Sequence, residues 1–180
     1  KTFFLGGGTN VLFPDEGINA LVIRSAITTI EQHGLQLTVG SGVYTTTLAQ
    51  YCLKHSLSGI EALFGLPGTI GGAIHGNAGT LGTEIKDVIE SVTLINQQHQ
   101  LEVVKASDLA FTYRGSALKN APKFIIDCLM NLVIGDPVIM SQKMTDTKNW
   151  RRDKQPGGFT AGSFFKNPPD TSAGFLIEQA

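Results

Sequence analysis

At 180 residues, with a formal net charge of −1 and a pI near 6.5, the chain can build a sizeable core in one or two domains. It offers no electrostatic case for a nucleic-acid or membrane partner. No run approaches the ~18 continuous apolar residues of a membrane span, and nothing at Lys1 reads as a signal peptide. Cys52 and Cys128 lie in apolar runs without CxxC spacing, so they read as buried free thiols of a reducing compartment. The expectation is a soluble cytoplasmic protein.

In chain order, Phe3-Phe4-Leu5 predicts a strand, Gly6-Gly7-Gly8-Thr9-Asn10 a glycine turn, and Val11-Leu12-Phe13 a second strand. The turn is not GxGxxG and no long helix follows it, so it is not the dinucleotide fingerprint of a Rossmann fold. Residues 18–24 and 35–39 predict strands, the latter running into Gly40-Ser41-Gly42. Residues 45–55 predict a threonine-capped helix with Leu48, Tyr51 and Cys52 on one face.

Residues 59–82, GIEALFGLPGTIGGAIHGNAGTLG, hold eight glycines and no charge except Glu61. Pro67-Gly68-Thr69 predicts a turn whose Thr69 caps a short helix over 70–74. Glycines feeding a helix N-terminus leave several N–H groups aimed at one spot, a nest for phosphate or pyrophosphate. From composition alone, a packing loop that meets no ligand fits equally well. The second nest at residues 6–10 favours one long ligand with two phosphates, held by backbone.

Residues 88–95, a turn at 96–98 and residues 101–104 predict a β-hairpin. A helical turn follows at 107–109, and 124–134 reads as one long strand. Gly135-Asp136-Pro137 reads as punctuation before a helix over 141–154. Ser141 caps that helix, Arg151, Arg152 and Lys154 favour its end, and Pro156 stops it. Residues 163–166 predict a strand, and 173–177 a helix.

Five motifs in this order, GGGTNVLF, VGSGV, the 59–82 stretch, YRGS at 113–116 and AGSFFKNP at 161–168, resemble those of the UDP-N-acetylenolpyruvoylglucosamine reductase family. The resemblance spans essentially the whole chain. It implies an α/β (α+β) chain with the FAD-binding fold of the vanillyl-alcohol oxidase type and the start of a smaller C-terminal substrate domain. The expected division is an FAD-binding region over 1–136, a bridging helix over 137–156 and a truncated substrate domain over 157–180. Family members are longer at both ends, so the chain is expected to be a fragment.

What the resemblance implies for activity is FAD-dependent reduction of the UDP-N-acetylglucosamine enolpyruvyl ether, with NADPH as electron donor, in cell-wall precursor synthesis. The protein is then a monomer acting on a UDP-sugar. FAD would lie against Gly6, Gly7, Gly8, Thr9, Asn10, Pro67, Gly68, Thr69, Gly71, Gly72, Asn77, Gly79 and Gly82. The competing readings are another flavin oxidoreductase of the same fold, or a truncated flavin-binding remnant without catalysis.

Arg114, by residue type, is a surface cation or a clamp for a carboxylate; the resemblance implies the clamp. Ser163 lies outside any GxSxG elbow and reads as a backbone-satisfied serine. The resemblance makes it the proton donor to carbon, a weak acid that needs help from neighbours. Tyr113, Lys154 and Asn167 match substrate-binding positions, although Lys154 is also explained as a helix C-terminal cation. His33, His55, His75 and His99 show no ligand spacing, and no metal is expected. His75 and Thr80-Leu81 depart from the family pattern, and the family's catalytic glutamate lies beyond Ala180.

Overall fold

In the computed structural model, every residue is described except Ala121, Pro122, Pro156, Phe159, Ala161 and Phe164. Thr2–Leu5 forms β1, which pairs in parallel with β2, Leu21–Arg24. Residues 11–13 are not a strand, and the strand expected over 18–24 begins only at Leu21. Leu12 is 77% exposed, so the apolar run there has no face to bury.

Ile30–His33 forms β3 and pairs in antiparallel register with β4, Gln36–Gly40. The strand β3 was not expected. Glu31, Gln32 and His33 are exposed on this edge strand, and an edge strand with little burial carries little hydrophobic signal. Thr45–Lys54 forms α1. Its cap position is Tyr44, with no side-chain cap. The Thr45 hydroxyl donates instead to the Leu66 carbonyl, which ties α1 to the glycine stretch.

Leu57–Ser58 forms β5, Glu61–Leu63 a single 3₁₀ turn and Ile70–Gly76 helix α2. Next come the short strands β6, Gly79–Thr80, and β7, Thr83–Glu84, then β8, Ile89–Ile95, and β9, Leu101–Lys105. The β8–β9 hairpin is as expected. Asn96 Oδ1 holds its turn by accepting from the Gln98 and Gln100 amides, both at 3.0 Å. The 3₁₀ turn Ala106–Leu109 follows.

The long strand expected over 124–134 is two strands, β10, Phe124–Asn131, and β11, Val133–Ile134. β10 pairs with β4 and β8, whereas β11 leaves the sheet to pair with β5. Helix α3 runs from Pro137 to Lys154 and starts one turn earlier than expected. Its cap is Asp136, whose carboxylate accepts from the Val138 amide at 2.8 Å, and not Ser141. An Asp-Pro pair is a cap followed by the first helical residue, so the punctuation was the helix start. Pro156, the expected stop, lies outside the described residues.

Helix α4, Ala173–Gln179, is capped by Ser172. No described residue of 163–166 is in a strand. Phe164 lies outside the described residues.

The main sheet has the order β3-β4-β10-β8-β9. Its buried face carries Leu37 and Val39, Val92 and Leu94, and Cys128 and Met130, each pair two residues apart on its strand and all 0% exposed. Leu48 and Cys52 of α1 and Ile70 and Ile74 of α2 close this core. Each such side chain contributes about 1.5–3 kcal/mol by leaving water. Both cysteines are free and buried. Burial pushes the Cys52 thiol up to about 12 and raises that of Cys128 as well. α3 lies on α1 and on the 3₁₀ turn at 61–63, which brings its inner stripe beneath the glycine stretch. No helix among the described residues is long and apolar enough to cross a membrane.

Leu81 and Gly82 make the two-residue turn between β6 and β7, with φ of 50° and 79°. Both central residues of such a turn need positive φ, which suits Asn-Gly and strains a leucine. Leu81 is 53% exposed, so its side chain contributes little burial. Leu81→Asn should raise stability by about 1 kcal/mol, or about 2–4 °C in Tm for a chain of this size. An unchanged or lower melting temperature by circular dichroism would show that the leucine is held by contacts worth more than the strain.

Candidate functional site

The two glycine clusters form one cradle. A Cβ on Gly6 would lie 2.9 Å from Thr69 Oγ1, and one on Gly7 would lie 2.9 Å from Gly68 Cα. Thr9 Oγ1 donates to the Pro67 carbonyl at 3.1 Å. The loop after β1 and the turn before α2 therefore lie backbone against backbone, which only glycine permits. Gly71 backs onto the VGSGV motif, where its Cβ would meet that of Ser41 at 2.9 Å.

The geometry corrects part of the expected nest. The Ile70 and Gly71 amides donate to the carbonyls of Val43 and Ser41, at 2.8 and 2.9 Å, so neither is spare for a phosphate. Gly6, Gly7 and Gly71 thus make room for close packing between loops of the chain. Gly8, with φ of 73°, has open space where a Cβ would sit, and Gly72 has only ordinary contacts, the nearest at 3.7 Å. Thr69 occupies the cap position of α2 but makes no cap bond. Its buried hydroxyl has no partner among the described residues.

Asn77, expected against the ligand, is 0% exposed. It ends α2 in the left-handed conformation, its Nδ2 donates to the Thr112 carbonyl at 3.0 Å and its Oδ1 accepts from the Lys86 amide. Its side chain is spent on joining α2 to the loop that carries Tyr113 and Arg114. Gly79 packs against Glu84 of β7, and its carbonyl accepts from Arg114 Nη1 at 2.9 Å. Gly82 serves the β6–β7 turn.

Arg114 is exposed, with φ of 59°. Its guanidinium lies 5.5 Å from the centre of the Tyr113 ring, and Lys119 Nζ donates to its carbonyl at 2.6 Å. Tyr113 and Asn167 line one cavity together with Pro168, Pro169, Thr171 and Ser172. Asn167 Oδ1 also accepts from the Ala173 amide at 3.0 Å. A Cβ on Gly162 would lie 3.0 Å from Asn10 Oδ1, so the segment carrying Ser163 returns to the glycine cradle. Ser163 is exposed, as is Lys154 at the end of α3. Among the described residues no hydrogen bond joins Ser163 to Arg114 or Lys154 to either. Ala161 and Phe164 of AGSFFKNP lie outside the described residues.

One charged residue of this region reads in the sequence only as a cation at a helix C-terminus. Arg151 of α3 is 8% exposed, and its Nε and Nη2 are buried without a partner among the described residues. Burial, and then the charge of Arg114, lower its pKa. His75 is also held below its ordinary value, first by burial and then by Lys119. Among the described residues no three His, Cys, Asp or Glu side chains could hold a metal. The cradle and its surroundings therefore gather cations and unfilled donors, an arrangement suited to an anionic ligand.

Comparison with known proteins agrees. The profile of a family described as "FAD binding domain" matches residues 1–106. The chain is 36% identical to a UDP-N-acetylenolpyruvoylglucosamine reductase of Listeria monocytogenes, over 98% of the chain and 60% of the relative. It is 35% identical to the reductase of that name from Caldanaerobacter subterraneus subsp. tengcongensis, over 99% of the chain and 60% of the relative. The chain thus spans about 60% of the length of these relatives.

Its backbone resembles the crystal structure of UDP-N-acetylenolpyruvylglucosamine reductase (MurB) from Thermus caldophilus, with a TM-score of 0.88 and 32% identity. That likeness covers 99% of this chain and 65% of the other. A 6-hydroxy-D-nicotine oxidase from Arthrobacter nicotinovorans shares the fold at a TM-score of 0.57 and 18% identity, over 74% of this chain and 31% of the oxidase.

Proposed function

The chain belongs to the FAD-binding domain family, and on that premise we propose that it is the flavin-binding part of a reductase of UDP-N-acetylglucosamine enolpyruvate. The observation that carries the reading is 36% identity to a reductase of that name over 98% of the chain. The residues present fit FAD. The Gly6–Thr9 and Pro67–Thr69 segments form a backbone cradle, Gly8 leaves open space, and the Thr69 hydroxyl is buried without a partner among the described residues. Gly6, Gly7, Gly8, Thr9, Asn10, Pro67, Gly68, Thr69, Gly71 and Gly72 would shape the pyrophosphate end. Asn77, Gly79 and Gly82 hold the wall beside it.

Bound FAD would relay two electrons from NADPH to the enolpyruvyl double bond. The chain's own residues would do the rest. Arg114 pairs with the substrate carboxylate and stabilises the charge that builds there. Ser163 gives its hydroxyl proton to the carbon next to that carboxylate. Tyr113 and Asn167, which share a cavity, would line the path of the UDP-sugar, and Lys154 would meet its charge at the end of α3.

The proposed division keeps residues 1–136 as the flavin region, 137–156 as the bridge and 157–180 as the start of the substrate domain. The place of action is the cytoplasm, on peptidoglycan precursors, and the protein is a monomer without nucleic-acid or membrane partners. The net charge of −1 supports the reading that nucleic acid and membrane are not its partners.

The test follows the proton. Run in D₂O with NADPH and the enolpyruvyl substrate, the full-length protein should show a flavin absorption band and place solvent deuterium at the carbon beside the carboxylate. Ser163→Ala should retain flavin and label that carbon at least about 10²-fold more slowly. Wild-type rates and stereochemistry in the variant would remove the serine from the mechanism.

A further inference from the structure

Tyr113 and Arg114 form the tip of a tight turn. Thr112 and Gly115 close it: the Thr112 amide donates to the Gly115 carbonyl at 3.0 Å, and the Gly115 amide to the Thr112 carbonyl at 3.1 Å. Arg114 has a positive φ and Tyr113 does not. That is the pattern of a type II turn, which asks for glycine or asparagine at its third position. Arginine there is strained, and the relaxed alternative is a type I turn, in which φ at that position is negative.

What opposes the relaxation comes from the next turn. Ala117–Asn120 is a 3₁₀ turn anchored by Leu118, which is buried in the main core. Ser116 just before it is buried and donates from Oγ to the His75 carbonyl at 2.8 Å. The Lys119 amide donates to the Ser116 carbonyl at 3.1 Å. From this fixed base Lys119 Nζ reaches back to the Arg114 carbonyl at 2.6 Å. Among the described residues it is the only hydrogen bond to the Arg114 main chain. Lys119 is exposed, so it gives up rotamer freedom to make that bond. It also brings one cation to the residue that carries another, at a cost in repulsion.

We propose that Lys119 is a positioning residue for Arg114: by holding the Arg114 carbonyl it keeps the turn in the strained form from which the guanidinium meets the substrate carboxylate. This rests on the reading of Arg114 as the carboxylate clamp. In this role Lys119 acts through the main chain of Arg114 and not on the substrate. Its loss frees the tip of the turn to relax, and a clamp displaced by about 1 Å costs up to about 10²-fold in rate.

The test is a double-mutant cycle on the full-length holoprotein, read by stopped flow. Lys119→Met should slow reoxidation of the reduced flavin by saturating enolpyruvyl substrate by about 10- to 10²-fold, with reduction by NADPH nearly unchanged. Lys119→Arg still brings an N–H donor to the carbonyl and should recover most of the rate. Added to Arg114→Ala, Lys119→Met should slow the step by less than about twofold more, because the group it positions is gone.

Independent effects that multiply overturn the proposal. A higher KM at unchanged maximal rate also overturns it, because Lys119 would then only attract the anionic substrate by its charge. Loss of flavin or of fold in Lys119→Met does the same, since positioning the turn involves neither. If Arg114→Ala reduces the substrate at the wild-type rate, the parent reading fails and this inference with it. If Arg114→Ala is slow and Lys119→Met is not, this inference fails alone.

Discussion

Gly7→Val should yield a folded protein that has lost its flavin. The Cβ it adds would sit 2.9 Å from Gly68 Cα and 3.5 Å from Gly68 C, and two further methyl groups stand beyond it. The obstacle is backbone, so it cannot swing aside like the end of a side chain. The loop after β1 must part from the Pro67–Thr69 turn, and the Thr9–Pro67 hydrogen bond is lost with it. That bond contributes only about 1 kcal/mol. The main core lies in the five-stranded sheet and helices α1 and α2, so the fold should survive while the cradle opens.

A Cβ at Gly76, by contrast, meets nothing within 4 Å. Gly76→Ala should keep the fold and gain up to about 1 kcal/mol of helix stability. The ratio of absorbance at the flavin band to that at 280 nm reads the outcome for each purified protein, and circular dichroism checks the fold. Stoichiometric FAD in Gly7→Val would mean that the two loops do not jointly hold the cofactor.

The same contact shows how much the sequence could tell. Glycine density at 6–8 and 59–82 announced a close approach, and the approach exists. What it could not reveal is what approaches. At Gly6, Gly7 and Gly71 the neighbour is another loop of the same chain, and the bonded pair Thr9 and Pro67 is 58 residues apart. Backbone proximity of that kind is set by the fold and leaves no local trace.

The β8–β9 hairpin and α1 were legible because apolar period and turn chemistry coincide there. β3 was not, because polar residues on an exposed edge carry no period. The start of α3 was misread although Asp136-Pro137 spells a cap and first residue. Arg151 was hidden among three cations that all suit a helix C-terminus. The clue was its place on the stripe Met140, Met144, Thr147, Arg151, where helical spacing puts it on the buried face.

Arg114→Ala should slow reduction of the enolpyruvyl substrate by about 10²–10³-fold, the usual cost of one preorganised charge contact. Reduction of the flavin by NADPH should be nearly unchanged. The guanidinium is held ready by its bond from Nη1 to the Gly79 carbonyl at 2.9 Å and by the Tyr113 ring beside it. Removing it loses about 1 kcal/mol of hydrogen bonding, too little to unfold the loop, which Lys119 still ties through the main chain.

The backbone offers a second test. Arg114 sits at φ 59°, a conformation that costs a side chain about 1–2 kcal/mol and that glycine adopts freely. Arg114→Gly should therefore be more stable than Arg114→Ala by about that amount, and equally slow. Under the proposed role of Arg114, this strain is part of what positions the guanidinium. Stopped-flow traces separate the two half-reactions, and thermal melts rank the variants. Equal slowing of both half-reactions would mean that Arg114 serves the flavin and not the substrate carboxylate.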